Sequence, residues 1–368
     1  MTSALRPDFA DPFDRALELM SGDLARFHET LANTLEPQRP YLTETEYAIY
    51  GRGKKLRPLL LLLVARMTHG GAPDEPLPER VIKAAVALEM LHVATLIHDD
   101  IIDLAPRRRG LASVNAARGS DIALLVGDMQ FVQAVRCFAS GIETREDMAL
   151  VQLVLDVGFK ICCGEIDELL TDPTQPVVQL RQRYFRTIDR KTAVLFQLAC
   201  ESGASLVRAR KRYIWKTGRY GRLLGRAFQI MDDLGDFMQT DEESGKLRGT
   251  DLLRRRPTLP ILYALQELPT DHIVARILGG ETASPAELDA AITAVVASNG
   301  FIRAYGEARA AAIAAARCLE VLPASPYRDT LVDLAYHVVD HGPELIEPAV
   351  APTPPRTPAP AALPAGAP

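Results

Sequence analysis

Residues 79–103 read ERVIKAAVALEMLHVATLIHDDIID, a long apolar run closed by three aspartates, Asp99, Asp100 and Asp103. On a helix each residue advances about 100°, so Asp103 falls about 40° from Asp99 and about 60° from Asp100. The three carboxylates share one narrow arc, where like charges raise one another's pKa and loosen the helix. A bound divalent cation removes that cost, and clustered carboxylate oxygens suit Mg²⁺ or Ca²⁺ better than a softer metal.

The pattern recurs in Phe228–Asp236, FQIMDDLGD, with Asp232, Asp233 and Asp236. A single such triplet is more often a solvated helix face than a metal site. Two copies, each ending a helix that otherwise reads as core, point to facing walls of one multi-metal site. The triplets start 133 residues apart. Sharing metals therefore predicts one bundle with a polar mouth between two antiparallel helices, not two domains.

Helices are expected over about 12–36, 58–67, 79–103, 120–140, 146–170, 177–205, 211–239, 258–268, 285–298, 300–321 and 326–340. No alternating segments separate them, so the fold class is all-α, a single domain over 1–348. Aromatic residues make up only 6% of the chain, and Ala and Leu abound, which favours helices over sheets. Residues 349–368 hold seven of the 26 prolines and are expected to form a disordered tail.

A net charge of −5 gives no reason to expect nucleic acid. Five cysteines (Cys137, Cys162, Cys163, Cys200, Cys318) form no metal pattern and read as buried free thiols. The first twenty residues lack the apolar core of a signal peptide, and Leu59–Ala65 is too short to span a bilayer. A cytoplasmic protein without a transmembrane segment is the expectation.

Carboxylates and cations need an anionic substrate, and basic residues cluster accordingly. Gly53-Lys54-Lys55-Leu56-Arg57-Pro58 offers Lys54 and Arg57 at i, i+3, able to grip one phosphate cluster. Arg107, Arg108 and Arg109 follow the first triplet, Lys191-Thr192 sits on a helix, and Lys246 follows the second triplet in a polar stretch, 245–257, expected to act as a lid. Alone, each is an ordinary surface charge. Their alternation with acidic triplets points to carboxylate–metal–diphosphate–guanidinium contacts. His92 and His98 are weaker candidates, since a histidine in an apolar helix is more often hydrogen-bonded core.

These residues resemble the trans-isoprenyl diphosphate synthases, the polyprenyl synthetase family. The likeness runs from Gly51 to Pro260 and includes GKKLRP, HxxxxxHDDxxD with RRG, KTA, FQxxDDxxD, GK and TLP. It implies an isoprenoid-synthase helical bundle with a central apolar cavity, acting as a homodimer with Mg²⁺, three per site. Asp99, Asp103 and Asp232 match direct metal ligands, and Asp100, Asp233 and Asp236 match supporting carboxylates. Lys54, Arg57, His92 and Arg109 match a pocket for isopentenyl diphosphate. Arg108, Lys191 and Lys246 match contacts to an allylic prenyl diphosphate, and Thr192 and Gln229 match polar groups beside the reacting carbons.

The chain departs from the family pattern at Arg256, where lysine is usual before TLP, at Glu168, where GExxQ commonly has glutamine, and at Asp340-His341, where a basic residue often follows the last helix. Long-chain synthases resemble HVATLIHDD more than short-chain ones do. Thr95 and Ala94, four and five residues before Asp99, stand where aromatic side chains would floor a short channel. Their small size implies a product longer than farnesyl diphosphate, with Leu91 and Leu88 as deeper walls. Competing readings are a farnesyl- or geranylgeranyl-type synthase, a terpene cyclase, a non-catalytic partner subunit and a Ca²⁺-binding scaffold. A cyclase would not need Lys54, Arg57 and Arg109, and partner subunits typically lose acidic residues that are complete here.

Overall fold

The structure is a computed structural model, and it describes residues 11–70, 75–142, 144, 147–238 and 248–340. Helices α1 (Pro12–Leu19), α2 (Ser21–Leu35) and α3 (Glu44–Gly51) lead into α4 (Leu56–Thr68) and α5 (Glu79–Ile102). A two-stranded hairpin, β1 (Arg107–Arg108) and β2 (Leu111–Ala112), precedes α6 (Val114–Arg118), α7 (Ser120–Ser140), α8 (Met148–Leu169) and α9 (Val177–Ile188). Then come α10 (Val194–Leu206), α11 (Lys211–Met238), α12 (Thr250–Leu253), α13 (Leu259–Ala264), α14 (Ile273–Gly279), α15 (Pro285–Val296), α16 (Asn299–Cys318) and α17 (Pro326–Asp340).

The all-α expectation holds, and its exception is the hairpin, whose two-residue strands are too short to show alternation. Local chemistry accounts for several boundaries. Pro58 lies in the first turn of α4, where a missing N–H costs nothing. Thr43 and Glu46 form a capping box at α3, a helix too weakly amphipathic to read from the sequence.

Leu59 to Ala65 of α4 and most of α5 are buried, so α5 is apolar all round because it is covered all round. α10 lies between α5 and α11. Gly221 makes its contact with α11 close: a Cβ there would meet the Phe196 carbonyl oxygen at 2.2 Å. A second apolar cluster, with Leu180, Ile230, Phe237, Leu262 and Phe301, joins α9 and α11 to the C-terminal helices.

One expectation is refined and one corrected. The 177–205 segment is helical throughout, as expected, but its turn at Asp189–Ala193 is π-helical, and Asp189 there is held by Arg222 and Arg226 of α11. A π-bulge widens the turn and often marks a functional position. The helices carrying the triplets also run in the same direction. Arg80 at the start of α5 donates to the Leu206 carbonyl at the end of α10 (2.7 Å). Thr192, just before α10, donates to Gln229 near the end of α11 (2.7 Å). Both α5 and α11 are therefore antiparallel to α10 and bring their C-termini to one mouth.

The thiols differ from expectation as well: Cys137, Cys200 and Cys318 are buried, but Cys162 is exposed on α8. Lys246, the tail 349–368 and His341 lie outside the described residues.

Candidate active site

The two triplets meet through a charge network. Arg256 donates to Asp103 Oδ1 at 2.6 Å and lies 3.8 Å from Glu168. Lys191 contacts Glu165 (2.6 Å) and Glu168 (2.8 Å) of α8, and its charge acts on Asp99. Asp251, on α12, donates its backbone N–H to Asp236 Oδ2 (3.0 Å). The π-helical turn explains why Lys191 and Thr192, adjacent in sequence, both reach this mouth.

Each triplet member has its own environment. Asp100 is 2% exposed and accepts from Arg108 Nε at 2.9 Å, which places Arg108, a residue expected to contact the allylic diphosphate, on the first triplet. Asp103 accepts from Arg254 (2.7 Å) as well as Arg256. Burial pushes Asp103 up, but the two arginines outweigh it and hold its pKa below the usual carboxylate value. Asp99 makes no side-chain hydrogen bond among the described residues, and burial, against the pull of Lys191, lifts it to about 6. Asp233 accepts from Tyr184 OH (2.6 Å) and Gln229 Nε2 (2.8 Å), and burial pushes its pKa well up against those two bonds. Burial, with Asp233 and Asp236 adding to it, pushes Asp251 up too.

Among the described residues no three carboxylates converge closely enough to enclose a cation, because arginines hold Asp100 and Asp103. The donor set nevertheless fits a hard cation. It consists of carboxylate oxygens only, and Asp99 is left half-buried with no hydrogen-bond partner.

Asp99 sets a pH dependence. Its folded-state pKa lies above the unfolded value, so the folded chain keeps a proton that the unfolded chain releases. The stability this gives is present below about pH 4 and is lost as pH rises through about 6. With chelator present, Asp99→Asn should therefore unfold at a higher temperature than the parent above pH 6 and at the same temperature near pH 4. Parallel melting curves across that range would refute this.

The basic wall is built around a carboxylate that sequence reading missed. Glu89 of α5, 1% exposed, accepts from Lys55 Nζ at 2.8 Å, and Arg109 lies 3.4 Å away. Arg109 also donates to the carbonyls of Ile49 (3.0 Å) and Arg52 (2.8 Å). Lys55 and Arg109 both have positive φ, 50° and 52°, which non-glycine residues adopt at a cost that surrounding contacts must outweigh. Gly53 lets the two loops touch, since a Cβ would come within 2.9 Å of the Arg109 guanidinium.

Arg57 donates to His92 Nε2 (3.1 Å) and stacks 4.6 Å from the Phe196 ring. Burial first, then Arg57, Arg109, Lys55 and Arg108, drive the His92 pKa far down, so it is neutral and accepts. Burial lowers Arg57 itself to about 10, and its Nε is buried without a partner. An unsatisfied guanidinium N–H in a cluster of cations calls for an anion. Lys54 instead lies over the Phe13 ring (5.7 Å). His98 faces α7, 3.3 Å from the Leu124 carbonyl and 3.4 Å from Asp128, and takes no part in the mouth.

Below the mouth, Ala94 is buried and Thr95 donates back to the His92 carbonyl (2.8 Å). The void in this region lies deeper than the expected floor: a cavity of about 10 Å³ is lined by Leu88, Leu91, Phe138, Ser202 and others. Sequence reading reached Leu88 and Leu91 but not Phe138 or Ser202, which come from helices distant in the chain. Glu89, Glu165, Tyr184, Asp251 and Arg254 were missed for the same reason, and Lys55, within GKKLRP, was given no role of its own. Nothing in their local spacing distinguishes them.

The polyprenyl synthetase profile matches residues 39–295. The chain is 34% identical to heptaprenyl diphosphate synthase component 2 of Geobacillus stearothermophilus, over 87% of this chain and 96% of that one. It is 33% identical to nonaprenyl diphosphate synthase of Mycobacterium tuberculosis, over 89% and 92%. The structure of a Caulobacter crescentus polyprenyl synthase complexed with calcium and isoprenyl diphosphate superposes with a TM-score of 0.79 at 27% identity, covering 90% of this chain and 99% of that one.

Proposed function

Because this chain belongs to the polyprenyl synthetase family, we propose that its two aspartate triplets bind Mg²⁺ and an allylic diphosphate while the Arg57 wall binds isopentenyl diphosphate. The chain is a trans-prenyltransferase that makes polyprenyl diphosphates longer than farnesyl. The observation that carries the site assignment is the meeting of both triplets at one mouth over an apolar bundle interior: Arg256 pairs with Asp103, and its charge also acts on Asp251, whose N–H bonds Asp236.

In this reading Asp99, Asp103 and Asp232 hold the metal, three ions per site, with Asp100, Asp233 and Asp236 in support. When bound, Mg²⁺ neutralises charge on the departing diphosphate. Lys191, with Arg256 and Lys246, binds the allylic diphosphate and stabilises it as the C–O bond ionises. Thr192 and Gln229, already hydrogen-bonded to each other, turn oxygen dipoles toward the allylic cation. Arg57, neutral His92, Arg109 and Lys54 orient isopentenyl diphosphate so that its double bond attacks that cation. The released diphosphate takes the proton whose loss restores an allylic product. Apolar walls exclude the water that would quench the cation.

Purified protein given radiolabelled isopentenyl diphosphate, each allylic starter and Mg²⁺ tests this by product size. No incorporation with any starter would refute it. Product length is read by the small residues Ala94 and Thr95 and by the walls below them. Ala94→Phe inserts a large ring into a fully packed helix face and should shorten the product. Unchanged product length would remove Ala94 from the channel.

The assembly proposed is a cytoplasmic homodimer. α5 and α7 are both long and apolar enough to cross a membrane, but 72% of the apolar stretch of α5 is buried in the bundle against 39% for α7. The uncovered part of α7, with Leu125 62% exposed, and the 3–4 spaced stripe Leu155, Phe159, Cys162 and Ile166 of α8 form an apolar face. Leu125→Glu with Phe159→Glu should yield monomers in sedimentation velocity. A second reading, pairing with a different subunit, is favoured by the word "component" in the Geobacillus relative's name. A dimer of this chain alone in sedimentation velocity supports the first reading, and a monomer the second.

A further inference from the structure

From Arg208 to Arg222 the sequence carries seven Lys or Arg and no Asp or Glu, in a chain of net charge −5. The stretch spans the end of α10 and the first turns of α11. Arg208 is paired with Asp147 (2.8 Å) and Arg222 with Asp189 (2.5 Å). Lys211, Arg212 and Arg219 are exposed and have no carboxylate partner among the described residues. Glu320 is an acidic group on this side, since its charge acts on Cys318 together with those of Arg219 and Lys216.

Trp215, the chain's only tryptophan, is 58% exposed within this cluster. Lys216 and Arg219 lie 5.3 and 5.6 Å from its ring. Arg212, Trp215 and Arg219 are spaced i, i+3, i+7, which places them on one helix face. An indole ringed by cations suits the boundary between water and an anionic bilayer, where the ring sits at headgroup level and the cations meet lipid charge.

The position in the fold matters as much as the composition. Trp215 precedes Asp232 by 17 residues, roughly 25 Å along α11. The end of α10 abuts the start of α5 through Arg80, so this face closes the bundle opposite the carboxylate mouth. The small void lined by Ala84, Leu88 and Ser202 lies among residues near the start of α5 and the end of α10.

We propose that this basic end of the bundle docks reversibly on an anionic lipid bilayer through Trp215, Lys211, Arg212 and Arg219. Docking stands on charge and exposure alone and does not depend on the prenyltransferase reading. Where that reading holds, docking sets the closed end of the apolar interior on the membrane and leaves the mouth in water, where both diphosphates are soluble.

The full chain, mixed with phosphatidylcholine vesicles with or without phosphatidylserine, tests this without any variant, because Trp215 reports on itself. A blue shift in tryptophan emission and co-sedimentation are expected with phosphatidylserine only, and both should fade as salt rises. Lys211→Glu, Arg212→Glu and Arg219→Glu together should lower vesicle binding by at least about 10-fold while prenyl transfer in solution is unchanged. Trp215→Ala should weaken binding without altering its salt dependence. Equal binding to neutral vesicles, an unshifted emission spectrum, or tighter binding to duplex nucleic acid than to phosphatidylserine vesicles at physiological salt would each overturn the proposal.

Discussion

Asp99→Asn is expected to lower kcat/KM for prenyl transfer by at least about 10³-fold, on the order of 4 kcal/mol of transition-state stabilisation. Asp99 carries this role because it is the carboxylate of its triplet that no arginine holds, so its charge is available to a cation. The substitution keeps shape and removes charge. Asp232→Asn should cost as much, since both walls serve one charge-neutralising function. The double variant should be little worse than either single one, because groups acting as a unit are not additive. Unfolding measurements separate this from a folding defect. Losing a buried carboxylate with a raised pKa stabilises the metal-free protein at neutral pH, so activity falls while the melting temperature rises. Losses of only a few fold in both single variants would place the chemistry elsewhere.

The second large effect is on stability. Glu89→Ala should destabilise the fold by about 3–5 kcal/mol, the cost of leaving buried charge unpaired. Glu89 is 1% exposed, and Lys55 and Arg109 both depend on it. Arg57, lowered to about 10 by burial, loses the anion that most supports its charge. Without Glu89, Lys55, Arg57 and Arg109 repel one another around neutral His92. The loops at 51–55 and 107–111, whose non-glycine residues Lys55 and Arg109 hold left-handed backbone conformations, lose the contact that keeps them there. Lys55→Met in the Glu89→Ala background should recover part of the loss, because removing the orphaned ammonium relieves the penalty. KM for isopentenyl diphosphate should rise in the single variant beyond what the melting temperature explains. A Glu89→Ala protein that melts within about 1 kcal/mol of the parent would show that water reaches this cluster.

Legibility from the sequence followed the range of each interaction. Both triplets, the helices that carry them and the GKKLRP turn were readable because the chemistry lies within a few residues. α3 escaped notice because its apolar residues take no consistent face, and the hairpin because its strands are two residues long. The helix expected at 177–205 is present, but the π-turn within it escaped notice because it leaves no mark in apolar spacing, although it carries Lys191 and Thr192.

By itself the sequence determined the helical class, the two acidic clusters and the basic loops, since helix periodicity and like-charge crowding act between near neighbours. Only the tertiary structure decided which cations meet which carboxylates. It set Arg254 and Arg256 on Asp103, Arg108 on Asp100, and Glu89 beneath Lys55 and Arg109. It also turned the two acidic helices parallel, because α10 runs antiparallel to both. Electrostatic pairing acts through space and ignores sequence separation, so a partner 153 residues away leaves no local trace.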